Sequence, residues 1–262
     1  MKKTLMSCLA AFIVLSINLS DAKAQNNSDN LTLTTIDAQP YPFTVDIGKT
    51  AVIVVDMQND FGSKGGMFDL KGRDISSIRN TIAPTSKVLA AARKRGMKII
   101  YLKGALLPDL SDLGDSIAPY TRALMKSGAG KTVNAPDGSK SRIQIRDTWN
   151  TAVVDELKPE AGDVQIYKSR YSGFYKTELE SILKKSGIKY LIFTGCTTSI
   201  CVESTVRDAT FRDYAPIVLE DCTAEPLGEK FPRSNKEASL LNMSVLGWVS
   251  NSENLLKALH QN

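Results

Sequence analysis

Histidine is almost missing from this chain: the single one, His260, is followed only by Gln261 and Asn262. A site in the body of the chain therefore has no Ser-His-Asp or Cys-His pair to use. Zinc loses its usual nitrogen ligand as well, and no Cys-x-x-Cys stands in for it. Cysteine is scarce, with four in all: Cys8, Cys196, Cys201 and Cys222. Lysine and arginine form no block interleaved with aromatics, so the chain lacks the footprint of a nucleic-acid surface. The stretch after the first apolar strand, DMQNDFGSKGG, is not the Gly-x-Gly-x-x-Gly of a dinucleotide-binding turn. A base acting here must be a carboxylate or a lysine.

What is present begins with a leader-like N-terminus. Lys2 and Lys3 precede an apolar run over residues 5–17, and Ala22-Lys23-Ala24 follows it as an A-x-A cleavage pattern. This is the layout of a secretory signal peptide over residues 1–24, cleaved after Ala24. The run is shorter than the roughly 20 residues that span a membrane. The expectation is a periplasmic or secreted protein, free of the membrane once the leader is gone. Losing Lys2, Lys3, Lys23 and Asp21 lowers the formal charge from +5 to +3. Three cysteines then remain, an odd number that leaves at least one thiol unpaired or paired between chains.

Residues 25–45, polar and then proline-marked, read as an extended lead-in. From residue 46 onward, short β-branched runs alternate with helical patterns. Strands are expected over residues 50–56, 98–102, 163–168, 190–195 and 216–221. Helices are expected over 75–95, 176–187, 199–213, 234–245 and 252–260. This alternation predicts one α/β domain over residues 46–262, a parallel sheet with helices on both faces. Residues 104–150, rich in Gly, Pro and Ser, break the rhythm. They read as an insertion covering a ligand, with a short helix near 118–126.

Ligands of open α/β sheets bind beyond the carboxyl ends of the strands. Asp56 ends a strand that is otherwise wholly apolar, Lys168 ends another, and Gly195 leads into the turn before Cys201. A carboxylate, an ammonium and a thiol thus share one rim. Thr197, Thr198 and Ser199 offer caps for a helix whose first turn holds Cys201. The helix dipole there is expected to draw the thiol pKa down, and backbone N–H groups in such a turn can hold an oxyanion. Each residue also has a plain reading: a small buried cysteine, a turn-capping aspartate, a solvated lysine. Only together do the three explain one another, with Asp56 as proton carrier and Lys168 balancing charge.

Three segments, AVIVVDMQNDF (51–61), YKSRYSGFYKTEL (167–179) and TGCTTSICVESTVRDA (194–209), resemble the isochorismatase-like cysteine hydrolases. Their order and spacing extend the resemblance from about residue 40 to beyond Trp248. It implies a six-stranded parallel Rossmann-like sheet in a three-layer αβα domain, usually oligomeric. The catalytic residues it implies are Asp56, Lys168 and Cys201, with a cis peptide before Thr197 and an oxyanion hole from the Thr197 and Cys201 amides. Phe61 and Tyr171 match pocket-lining positions of relatives. Glu203 and Arg207, four apart on one helix, read as a structural ion pair.

True isochorismatases lack the nucleophilic cysteine, so Cys201 points to C–N cleavage. Nicotinamidases carry an Asp/His/His metal site after the second strand, where this chain reads LKGALLPDL. The motifs RYSGF, LIFTG, CVESTVRDA and LGWVS look most like ureidoacrylate amidohydrolases. Lys103-Gly104-Ala105-Leu106 departs from that group's pattern, so the substrate-binding residues of that stretch do not carry over. The expectation is an exported amidohydrolase acting on a small amide, carbamoyl or ureido compound through a thioester, with no metal or organic cofactor. A larger amide or an ester is the nearest alternative. A thiol-redox protein cycling Cys196 and Cys201, or a silent small-molecule binder, belongs to a different class. One hazard of an oxidising compartment is a disulfide trapping Cys201, with Cys222 as partner.

Overall fold

The computed structural model describes residues 33–227 and 234–260. The expected leader over residues 1–24, and residues 25–32 of the lead-in, lie outside them. The first elements are β1 (Leu33–Ile36) and β2 (Phe43–Asp46), an antiparallel pair. Next come β3 (Thr50–Val55) and the helices α1 (Asn59–Gly62), α2 (Met67–Leu70), α3 (Ser76–Asn80) and α4 (Ile82–Lys94). After β4 (Lys98–Gly104), the insertion holds α5 (Pro119–Ser127) and a small hairpin, β5 (Thr132–Asn134) with β6 (Lys140–Arg142). Then follow β7 (Val164–Lys168), α6 (Leu179–Lys185), β8 (Tyr190–Cys196), α7 (Glu203–Thr210) and β9 (Ala215–Ala224). The chain closes with α8 (Asn235–Leu246), β10 (Trp248–Ser250) and α9 (Ser252–His260).

Six strands form one parallel sheet in the order β10-β9-β8-β3-β4-β7. Numbered among themselves along the chain, they run 3-2-1-4-5-6 from the β7 edge, the doubly wound order. All six residues of β3 are buried, and its alternation feeds two cores. Val52 and Val54 face a layer holding Val88 and Leu89 of α4 and Leu255 of α9. Ala51, Ile53 and Val55 face the other, holding Leu183 of α6, Val206 of α7 and Met243 of α8. Each large aliphatic side chain so buried contributes about 1.5–3 kcal/mol. The result is the three-layer αβα domain the sequence predicts.

The differences have local causes. The helix expected over 75–95 is two helices, because Pro84 has no N–H to offer the Asn80 carbonyl and α4 starts afresh at Ile82. The helix expected over 176–187 begins only at Leu179, since Lys176 has a φ of 51°. The helix expected over 199–213 opens as a π turn over Thr198–Val202 before α7 begins. Strand β9 outruns its expected end because the pairing shifts at Phe193–Gly195, after which Gly195 pairs with Thr223 and Cys196 with Ala224. The sixth strand, β10, is three residues long, too short to show a period. The described part of the lead-in packs on the domain. Ile36 and Val45 of its hairpin sit in the core, and Gln39 exchanges both backbone hydrogen bonds with Val249, covering the β10 edge. His260 is the last residue of α9.

Candidate active site

The strand order reverses between β3 and β8, which places a crevice at their carboxyl ends. Asp56 leaves β3 there with a φ of 53°, a left-handed conformation that aspartate tolerates better than most residues. Its backbone N–H donates to the Leu102 carbonyl at 2.8 Å, and its own carbonyl accepts the Cys196 thiol at 3.3 Å. Oδ1 accepts the Gly104 N–H at 2.7 Å, and Oδ2 accepts Lys168 Nζ at 2.8 Å. The carboxylate is thereby held at all of its polar ends.

Lys168 comes from β7, two strands away across β4. The position between them in register is Gly104, where a Cβ would stand 3.2 Å from Asp56 Oδ1. Glycine there keeps the path between the two charges open. Gly195 is a second requirement: its φ is 113°, and a Cβ would lie 2.0 Å from the Val55 carbonyl. The β3–β8 rim can close only without a side chain at that point.

The Asp56–Lys168 ion pair is almost wholly buried, with side chains 1% and 2% exposed. Burial opposes the lysine's charge, but the Asp56 carboxylate beside it outweighs that, so its pKa stands above the ordinary lysine value. Lys168 is therefore charged at neutral pH.

Cys201 sits in the π turn that follows the cis peptide between Cys196 and Thr197. Two ties fix this turn. Thr205 Oγ1 donates to the Cys201 carbonyl at 2.7 Å and accepts the Gly173 N–H at 3.1 Å, linking the turn to the segment after Lys168. The Glu225 carboxylate accepts the N–H groups of Ser199 at 2.7 Å and Leu227 at 2.9 Å. The expected depression of the Cys201 pKa does not occur. Burial, reinforced by the nearby Asp56 charge, pushes the thiol up, and Lys168 offsets this only in part. The resting group is the neutral thiol.

The other cysteines stand apart from this role. All three described cysteines are free. Cys196 and Cys222 belong to the core on one side of the sheet and Cys201 to the core on the other, so neither is placed to trap it. Glu203 and Arg207 form their expected pair at 2.6 Å, away from the cavity.

Asp56, Lys168, Thr197 and Cys201 line one cavity of about 200 Å³. Phe61 and Tyr171 line it too, Phe61 edge-on to Phe68 and Tyr171 edge-on to Tyr120, each with ring centroids 4.8 Å apart. The structure thus brings Asp56, Phe61, Lys168, Tyr171, Thr197 and Cys201 to one cavity and leaves Glu203, Arg207, Cys196 and Cys222 outside it. It adds others that carried no signal of their own. Asp60 is fully buried and accepts Asn150 Nδ2 at 2.6 Å, the Gln144 N–H at 2.8 Å, Gln144 Nε2 at 3.2 Å and the Met67 N–H at 3.2 Å. It ties the insertion to the strand rim and seats Gln144 in the cavity wall. Arg73, Tyr120 and Arg170 complete the mouth; Arg170 lies inside the KSRYSGF motif and was legible there only as part of it. Among the described residues, no cluster of three His, Cys, Asp or Glu side chains is arranged to hold a metal ion.

This sheet order, with a carboxylate, a lysine and a cysteine gathered at its reversal point, coincides with a sequence match. Residues 50–254 match the isochorismatase domain, and the chain belongs to the isochorismatase family. Within it, the chain is similar to the ureidoacrylate amidohydrolase RutB of Caulobacter segnis, 42% identical over 216 residues covering 82% of this chain and 87% of that protein. The RutB of Agrobacterium fabrum is 40% identical over 217 residues, covering 82% and 92%. Among solved structures, a cysteine hydrolase from Pseudomonas syringae pv. phaseolicola superposes with a TM-score of 0.69 at 25% identity, covering 83% of this chain and 95% of that one. The N-carbamoylsarcosine amidase of Thermoplasma acidophilum gives 0.58 at 28% identity, covering 78% and 97%.

Proposed function

We propose that this protein is a cysteine amidohydrolase that cleaves a C–N bond of a small amide, carbamoyl or ureido compound. The observation that carries the reading is the convergence of Asp56, Lys168 and Cys201 on one cavity of about 200 Å³, a size for a small substrate. The ureidoacrylate amidohydrolases, similar over most of the chain, support the substrate class.

In the reaction, Cys201 Sγ attacks the carbonyl carbon while its proton passes to the Asp56 carboxylate. The raised thiol pKa makes this concerted transfer necessary, since little thiolate is present beforehand. Negative charge gathers on the carbonyl oxygen, which the Thr197 and Cys201 amides receive. Asp56 then hands its proton to the departing nitrogen, the C–N bond breaks, and an amine or ammonia leaves a thioester on Cys201. Asp56 next takes a proton from water, the hydroxide adds to the thioester, and the thiol is restored with that proton. Lys168 stays charged throughout. It balances Asp56 when ionised and limits how tightly Asp56 holds the proton it must release.

Export is part of the same proposal, supported by the leader-like residues 1–24, and so is self-association. Leu241 and Val245, exposed one turn apart on α8, are apolar surface that a second copy would cover. Cell fractionation with N-terminal sequencing tests the first, and light scattering of the purified protein the second.

The reaction is tested by following ammonia and amine release over ureido acids, carbamates, biuret and simple amides, with Cys201→Ala in parallel. Turnover lost in the variant is the expected result. Turnover that survives Cys201→Ala in a folded protein rules the mechanism out.

A further inference from the structure

The cavity carries more positive charge than its chemistry consumes. Among its described lining residues, Asp56 is the only carboxylate, and it is neutralised by Lys168. Arg73 and Arg170 remain, a surplus of two positive charges around a space that holds a small molecule. The two arginines are not equivalent. Arg170 is committed to the protein: Nη1 donates to the Asp112 carbonyl at 3.0 Å and the Ser169 carbonyl at 2.7 Å, and the guanidinium lies against the rings of Tyr120 and Tyr175.

Arg73 is held differently. Its backbone N–H donates to the Phe68 carbonyl at 3.0 Å, closing the turn after α2. Its guanidinium rests 5.4 Å from the centre of the Phe68 ring, itself packed on Phe61. Arg79, Arg93, Arg146, Arg207 and Arg212 all hold carboxylates. Arg73 holds none among the described residues. With one face on an aromatic ring, its planar fork of N–H groups is preoriented for a bidentate anion.

Resting on the amidohydrolase reading, we propose that Arg73 determines specificity by receiving a carboxylate at the far end of the substrate from the scissile bond. Ureidoacrylate, which names the similar amidohydrolases, is a ureido acid; Arg73 is the group that selects such acids, with the uncharged or cationic members rejected. Neutral members leave two like charges at the mouth uncompensated, and cationic members add a third.

The test compares a ureido acid with its carboxamide isostere, first by calorimetric binding to Cys201→Ala, which separates recognition from turnover. The acid is expected to bind about tenfold or more tightly than the carboxamide, the scale of one hydrogen-bonded charge pair. Adding Arg73→Gln should remove that discrimination by weakening the acid alone, and Arg73→Lys should restore part of it. In the active protein, Arg73→Gln should raise KM for the acid while kcat changes little. Equal binding of acid and carboxamide, binding of neither, or an equal loss of both on Arg73→Gln overturns the assignment. Arg73-dependent binding without hydrolysis by the unmodified protein would uphold the assignment and overturn the amidohydrolase reading. Hydrolysis indifferent to substrate charge would do the reverse.

Discussion

Two buried aspartates, four residues apart, are stabilised by opposite means. Asp56 has a full positive charge 2.8 Å away and lies at the strand rim. Among the described residues Asp60 has no cation against it; neutral N–H donors from Met67, Gln144 and Asn150 surround its carboxylate. Burial drives the Asp60 pKa up from 3.8 to about 6, with those donors pulling it part of the way back. A counter-charge favours an ionised carboxylate, the state a proton acceptor needs. A cage of dipoles orients a carboxylate and knits loops together, but leaves it weaker as an anion. One sequence segment thus supplies both the proposed proton carrier and a structural carboxylate, and their environments differ accordingly.

The sharpest way to break this comparison is to remove the counter-charged side. Asp56→Asn should keep the Gly104 contact and lower kcat by about 10²–10⁴-fold, the usual share of a positioned acid–base group. Lys168→Met leaves Asp56 buried without a counter-charge. It should abolish turnover and cost about 3–5 kcal/mol in urea denaturation. Retention of wild-type stability by Lys168→Met would show that Asp56 does not depend on the pair.

Removing the dipole-caged side should act on stability and its pH dependence. The folded chain holds the Asp60 proton more tightly than the unfolded chain does. Its stabilising contribution is therefore complete below pH 3.8 and lost as the pH rises through about 6. The difference between those values corresponds to about 3 kcal/mol. Asp60→Asn should flatten the wild-type decline between pH 4 and 7, measured by urea midpoints at each pH. Parallel curves for the two proteins would mean that Asp60 titrates as an ordinary surface carboxylate.

The two sides also differed in how far they could be read in advance. Asp56 is visible as a lone charge closing an apolar strand and Lys168 as a charge ending another strand, and strand ends point at ligands. The Cys201 segment was visible through its family resemblance. The Asp60 cage was not, because its partners lie 84 and 90 residues away in an insertion with no periodicity. Arg73 was equally silent, an arginine in a short turn until the fold seats it at the mouth. Gly104 and Gly195 look like ordinary loop glycines until the register shows what a Cβ would strike. A helix start alone favours a low pKa for Cys201, and the burial that reverses it shows only in the fold.

A thiol pushed up by burial should be alkylated slowly at neutral pH, and the rate of iodoacetamide modification of Cys201 should keep climbing beyond pH 9. A plateau near neutrality would show a preformed thiolate and return the mechanism to attack without concerted proton transfer.

The smallest effect belongs to Cys196, and its smallness is the point. This residue touches the site only through its weak S–H donation to the Asp56 carbonyl, and it is otherwise packed in the core facing away from Cys201. Cys196→Ala should cost about 1 kcal/mol, a small void plus one weak hydrogen bond, and should change kcat/KM by less than about threefold. A redox pair would behave otherwise, since removing either cysteine would end the cycle. Loss of activity in Cys196→Ala comparable to that in Cys201→Ala would reopen that alternative. Near-silence would leave Cys196 as a residue that helps hold Asp56 at its left-handed turn and takes no part in the chemistry.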